Sequence, residues 1–278
     1  LPSSSPPSSP SQTTNFPRGS TCKSASFHEL SLIKEEIPSV VPILTMNTPT
    51  LIFRQLFETT SSTYTYIVGC AATRKAVIID PVLETVERDA KLIKQLDLKL
   101  EMGLNTHVHA DHITGTAALA KIFPSMLSCL SDESGAKADR FLSHGEKLKV
   151  GRLEMECRHT PGHTNGCASY LLNSEGLIFT GDALLFRGCG RTDFQQGDSG
   201  RLYDSVWDHI LSLPDHYTIF PGHDYNGHMS SSVREEKKYN LRLTLEKEKF
   251  MELMANLNLA YPKQIDRALP ANLKNGEQ

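Results

Sequence analysis

At 278 residues, with a formal net charge of −3 and 39% hydrophobic residues, the chain can hold one large domain or two small ones of ordinary globular composition. That charge balance provides no basic footprint for nucleic acid and no polybasic patch for a membrane surface. No apolar run reaches the roughly 18 residues that a spanning helix needs, so no membrane insertion is expected.

Up to Phe27 the chain is rich in Ser, Thr and Pro, carries Arg18 and Lys23, and has no acidic residue. It has no apolar core of a secretory signal, and its composition suits an organelle transit segment. Residues 1–45 are therefore expected to be a disordered, transit-type segment, and 46–278 the catalytic domain. Met46 offers an alternative start that would give a cytosolic form. The six cysteines (Cys22, Cys70, Cys129, Cys157, Cys167, Cys189) form no CxxC pair, which fits unpaired thiols in a reducing compartment.

From Leu51 the element signals alternate. Leu51–Phe57, Thr63–Cys70 and Ala76–Asp80 have strand character, and the last ends at Asp80-Pro81, where the chain must turn. Thr85–Leu96 has helical spacing, with Val86, Ala90, Ile93 and Leu96 on one face. Strand Leu98–Leu104 is followed by a helix over Ile113–Ile122, which stops before Pro124. Further strands are expected at Met126–Leu130, Leu153–His159, Ala168–Leu172, Leu177–Thr180 and Tyr217–Phe220. Helices are expected at Leu202–Leu211, Ser230–Leu241 and Leu245–Leu257. Strands in runs, without strict βαβ alternation, predict two packed sheets with helices outside.

Four clusters close four of these strands. Thr106-His107-Val108-His109-Ala110-Asp111-His112 follows Leu98–Leu104, and Thr160-Pro-Gly-His163-Thr follows Leu153–His159. Gly181-Asp182 follows Leu177–Thr180, and Pro221-Gly-His223-Asp-Tyr225 follows Tyr217–Phe220. On an extended chain His107 and His109 point to the same side. Imidazole nitrogen with carboxylate oxygen suits zinc, iron or manganese. One such cluster would mean little; four in sequence at strand ends predict a metal site.

The order H-x-H-x-D-H, P-G-H-T, G-D and P-G-H-D-Y resembles the metallo-β-lactamase superfamily, in its glyoxalase II-like branch. That resemblance implies an αββα sandwich, a single α/β domain with a short C-terminal helical extension, and metals at one edge of the sheets. By analogy, a first metal site would draw on His107, His109, His163 and Asp182. A second would draw on Asp111, His112, Asp182 and His223. The segment Gly188-Cys-Gly-Arg-Thr-Asp-Phe-Gln-Gln196 and the short tail after His223 are similar to the mitochondrial persulfide dioxygenase family, plant members included.

Membership there implies one non-haem Fe(II) per chain, held by His107, His163 and Asp182 with three open positions. His109, Asp111, His112 and His223 would then be outer-shell groups or ligands of a second metal. The implied substrates are glutathione persulfide and O2, and the products are sulfite and glutathione. The implied setting is sulfide and cysteine catabolism in the mitochondrial matrix, and a homodimer is the expected assembly. Arg191 can grip a carboxylate through two hydrogen bonds and is the expected glutathione clamp. Cys189 either faces the substrate sulfur, tuned by the Tyr225 hydroxyl, or is a small buried residue between glycines. The alternative function is a glyoxalase II-type hydrolase of S-lactoylglutathione with a binuclear site. A non-catalytic metal-binding protein is the third possibility.

Overall fold

In the computed structural model, residues 50–277 are described, and the expectations placed on residues 1–45 and Met46 lie outside them. Six strands follow one another in the first sheet: β1 (Leu51–Glu58), β2 (Thr63–Cys70), β3 (Lys75–Ile79), β4 (Lys99–Leu104), β5 (Leu127–Ser131) and β6 (Arg140–Leu142). The second holds β7 (Lys147–Val150), β8 (Leu153–His159), β9 (Ala168–Leu172), β10 (Leu177–Gly181), β11 (Thr218–Pro221) and β12 (Ser231–Ser232), in reverse spatial order. Both sheets are mixed: β3 to β6 pair in parallel, as do β10 and β11, and the other neighbours are antiparallel. Helices α1 (Val86–Gln95), α2 (Thr116–Ile122), α3 (Ser199–Val206), α4 (Val233–Tyr239), α5 (Lys247–Ala255) and α6 (Ile265–Asn272) complete the chain. This is the αββα sandwich anticipated from the motif order.

β2 shows why the layers form, because it is buried at every position. Its residues alternate between faces. Tyr64, Tyr66, Val68 and Cys70 join the core between the sheets, where they meet Tyr170, Leu172 and Phe179. Ile67, on the opposite face, packs with Ile78 beneath Ala90 and Ile93 of α1 and Leu119 of α2. On the far side, Leu171, Ile178 and Ile219 pack under Leu202 and Val206 of α3 and Phe250 of α5. Phe53, Tyr66, Phe179 and Phe220 form an aromatic nest between the sheets, with ring centroids 4.9 to 6.1 Å apart. The five cysteines among the described residues are free and buried.

Three expected helices differ at their ends. α2 begins at Thr116, not Ile113, because Thr114 is bridged to Val82 and the Gly115 amide donates to the Pro81 carbonyl. Ser231 and Ser232 pair with β11, so α4 starts at Val233 behind a Ser232–Glu235 capping box. The helix expected at Leu202–Leu211 starts at Ser199 and ends in a π-helical turn, Trp207–Leu211.

The site follows from topology. β8, β10 and β11 run in one direction, so their C-terminal loops emerge at the same end of the second sheet. The loop after β4 is tied to that end by a bond from the Ala168 amide to the Thr106 carbonyl at 2.7 Å.

Candidate metal centre

The four loops bring two groups of potential ligands together: His107 with His163 and Asp182, and His109 with Asp111 and His112. Within each group one ligand atom per residue lies within 4.8 Å of the others. The rings of His107 and His163 stand 4.9 Å apart at 84°, and His163 Nε2 is 3.7 Å from Asp182 Oδ2.

Hydrogen bonds decide which nitrogen each histidine presents. The Arg191 carbonyl can only accept, so His163 Nδ1–H donates to it at 2.7 Å and Nε2 keeps a free lone pair. Thr106 Oγ1 donates its proton to Asp80 Oδ2 and therefore accepts from His107 Nδ1 at 3.0 Å, which frees His107 Nε2 in the same way. Burial, with His109 and His163 alongside, holds the His107 imidazole well below its ordinary pKa, in the neutral form that a ligand needs. Asp80 organises this side of the site. Its carboxylate accepts from the Thr106 amide, the Thr106 hydroxyl and His109 Nε2 at 2.7 to 3.0 Å. It does so at φ +48°, a conformation that non-glycine residues seldom adopt and that concentrates at functional sites.

His223 is held differently. Its Nδ1 donates to Asp182 Oδ1 at 2.6 Å and its Nε2 to Asp111 Oδ2 at 2.8 Å. Burial alone would lower its pKa; the two carboxylates outweigh burial and hold it well above the ordinary histidine range. Both of its nitrogens are thus committed, and Asp182 keeps Oδ2 on the side of His163. Asp111 Oδ2 also faces His112 Nδ1 at 2.8 Å. Two buried ring nitrogens, His109 Nδ1 and His112 Nε2, have no hydrogen-bond partner among the described residues. Free imidazole nitrogens beside carboxylates suit a transition-metal ion, and the residues present fit a metal cofactor.

A cleft of about 450 Å³ opens over His107, His163 and Asp182. Its walls include Cys189, Arg191, Tyr225 and Arg242. Arg191, expected from sequence to be the carboxylate clamp, already holds one: Nε and Nη2 donate to Asp193 at 2.6 and 2.7 Å, and Nη1 to the Ala260 carbonyl. Its guanidinium also lies over the Phe194 ring. Arg242, which the sequence did not single out, donates from Nη1 to the Cys189 carbonyl at 2.9 Å and has no carboxylate partner among the described residues. It lies between α4 and α5 with no motif around it, so nothing in the sequence marked it. Cys189 is buried with Sγ against Met254 Sδ at 3.8 Å, and burial pushes its thiol up to about 11. Tyr225 is 72% exposed at the rim, its ring parallel to His223 at 6.2 Å. No hydrogen bond joins it to Cys189 among the described residues.

Residues 59–223 match the family described as the metallo-beta-lactamase superfamily. The mitochondrial persulfide dioxygenase ETHE1 of Mus musculus is 53% identical over 82% of this chain and 90% of its own length. The crystal structure of ETHE1 from Myxococcus xanthus aligns with a TM-score of 0.78 at 49% identity, covering 81% of this chain and 99% of that one. A probable hydroxyacylglutathione hydrolase of Schizosaccharomyces pombe is 34% identical over 65% of this chain and 70% of its own length.

Proposed function

This chain belongs to the persulfide dioxygenase family of the metallo-β-lactamase superfamily, and on that premise we propose that it oxidises glutathione persulfide with dioxygen to sulfite and glutathione. Starting from the neutral persulfide, the terminal sulfur gains both atoms of dioxygen and one oxygen from water. The S–S bond breaks, and glutathione, sulfite and two protons leave. His107, His163 and Asp182 would hold one iron(II) ion per chain, which would supply the redox chemistry by which dioxygen reacts with a sulfur nucleophile. The observation that carries this reading is the convergence of His107, His163 and the free Asp182 carboxylate oxygen at the floor of the cleft, while His223 spends both nitrogens on carboxylates.

The chain's other residues bind and orient the substrate. The cleft is of a size that suits a tripeptide thiol. Arg242 brings a guanidinium with no carboxylate partner among the described residues to its wall and receives a glutathione carboxylate, while Arg191, braced by Asp193, shapes the wall beside it. Cys189 and Tyr225 line the same cleft, Tyr225 at its rim. A thiol held near 11 stays protonated at neutral pH, and with its Sγ against Met254 Sδ, Cys189 does not exchange with the persulfide. The mitochondrial relatives support a matrix location, and a homodimer belongs to the same proposal.

Thioester hydrolysis at a binuclear site is the second reading. It is favoured by the unpartnered His109 Nδ1 and His112 Nε2 and by the hydrolase relative. The ligand assignment is tested by Asp182→Ala, which should lose both bound metal and oxygen uptake while keeping the parental circular dichroism. A variant that retained a full complement of metal would refute it.

A further inference from the structure

The loop Asn105–Gly115 carries four of the seven candidate ligands and, apart from one bridge at Thr114, has no regular secondary structure. Its buried polar groups must therefore find partners elsewhere. Several find them on one side chain of the last helix. Asn272 Oδ1 accepts from the Thr114 amide at 2.9 Å, and Asn272 Nδ2 donates to the His109 and His112 carbonyls, both at 2.8 Å. Asn272 is itself buried. The donor and acceptor pattern fixes the orientation of its amide: reversed, it would set oxygen against two carbonyls and nitrogen against an N–H.

The neighbouring residues hold the same contact. Leu269 packs against the cluster of Val108, Leu130 and Ala136, and the Lys137 amide donates to the Leu273 carbonyl at 3.0 Å. Gly276, at φ +79°, lies so close that a Cβ there would sit 2.4 Å from the Thr114 carbonyl oxygen. From the loop, the connection continues inward. Asp111 Oδ2 accepts from His223 Nε2, and His223 Nδ1 donates to Asp182 Oδ1.

We propose that α6 latches the metal loop from behind, and that Asn272 is the positioning residue of this latch. Through the backbone of residues 109–112 it sets Asp111 and His223, and through them the carboxylate of Asp182. This inference rests on the reading that His107, His163 and Asp182 hold the metal. It goes beyond that reading by making the C-terminal helix part of the metal centre.

The test uses full-length, metal-loaded protein and follows metal release into excess chelator together with steady-state kinetics. Asn272→Asp keeps the volume and the acceptor for Thr114 but turns two donor contacts into oxygen–oxygen repulsions. It should release metal roughly 10–100-fold faster, if the affinity that outer-shell changes cost is lost through dissociation. kcat should fall while KM for glutathione persulfide stays within about twofold, because the cleft walls are untouched. Asn272→Ser should behave in the same direction and serves where the aspartate does not fold. Ile265→Val, in the same helix but without a bond to the loop, is the control: it should lower Tm modestly and leave metal release at the parental rate. The latch is overturned if both Asn272 variants release metal at the parental rate, or if Ile265→Val releases it as fast as they do. It is also overturned if neither Asn272 variant folds, which would make the residue structural alone. Asp182→Ala separates the two claims, since metal retained there refutes the ligand assignment whatever Asn272 does.

Discussion

A side chain at Gly222 would strike the carboxylate proposed as a metal ligand: a Cβ there would lie 2.6 Å from Asp182 Oδ1. Asp182 would have to turn from His223, its partner on that oxygen. Gly222→Ala should therefore weaken metal binding by roughly 10–100-fold, read as metal per chain after dialysis. Full retention would mean that Asp182 tolerates the displacement. At the cleft wall, two arginines make opposite forecasts. Losing a charge-assisted hydrogen bond costs about 1.5–3 kcal/mol, or roughly 10–100-fold in apparent affinity. Arg242→Ala should raise KM for glutathione persulfide by about that factor, and Arg191→Ala by less, because its charge is already met by Asp193. The reverse ranking would return the carboxylate clamp to Arg191. His107, His163 and Asp182 were legible in the sequence because each ends a strand within a recognisable motif. Asp80 announced only a turn before Pro81, and its role appears once Thr106 and His109 are seen to converge on its carboxylate.

Elements were legible where burial and period agreed. The limits of β2, β8 and β9 coincide with the expected strands because apolar runs end there at clear turn signals. β6 and β7 were missed: one is three residues long, and the other alternates Lys147-Leu148-Lys149-Val150 at a sheet edge, where only one face is buried. That alternation was the available signal. α6 was hidden by Pro270 inside it, a residue that ordinarily marks the end of a helix. The β1–β2 turn carries a pH dependence of its own. Burial would raise the Glu58 pKa, but hydrogen bonds from the Ser61 amide and hydroxyl and from the Thr60 amide outweigh it and hold the carboxyl at about 2, against an ordinary 4.5. With the folded-state value depressed, its stabilisation is complete above about 4.5 and is lost as pH falls towards 2. Glu58→Gln should lower stability at pH 7 by about 1–3 kcal/mol and by progressively less between those limits, measured by urea unfolding. A constant difference across that window would contradict the linkage.

At the scale of the molecule, one fold serves two chemistries. The seven residues Thr106–His112 look, in isolation, like half of a binuclear hydrolase site. In the structure Asp111 and His223 are tied into a hydrogen-bonded chain that ends on Asp182, and His109 into the Asp80 network. On the proposed reading these residues hold the three ligands in place around one ion, and the cleft above them, with Arg191 and Arg242 in its wall, receives a substrate with carboxylate ends. The most direct test is to purify the protein without oxygen, count its metals, and follow oxygen uptake with glutathione persulfide beside hydrolysis of S-lactoylglutathione. The expected result is one iron per chain and oxygen consumed in step with sulfite formed, with no thioester turnover. Two zinc ions per chain, thioester turnover and no oxygen uptake would contradict it.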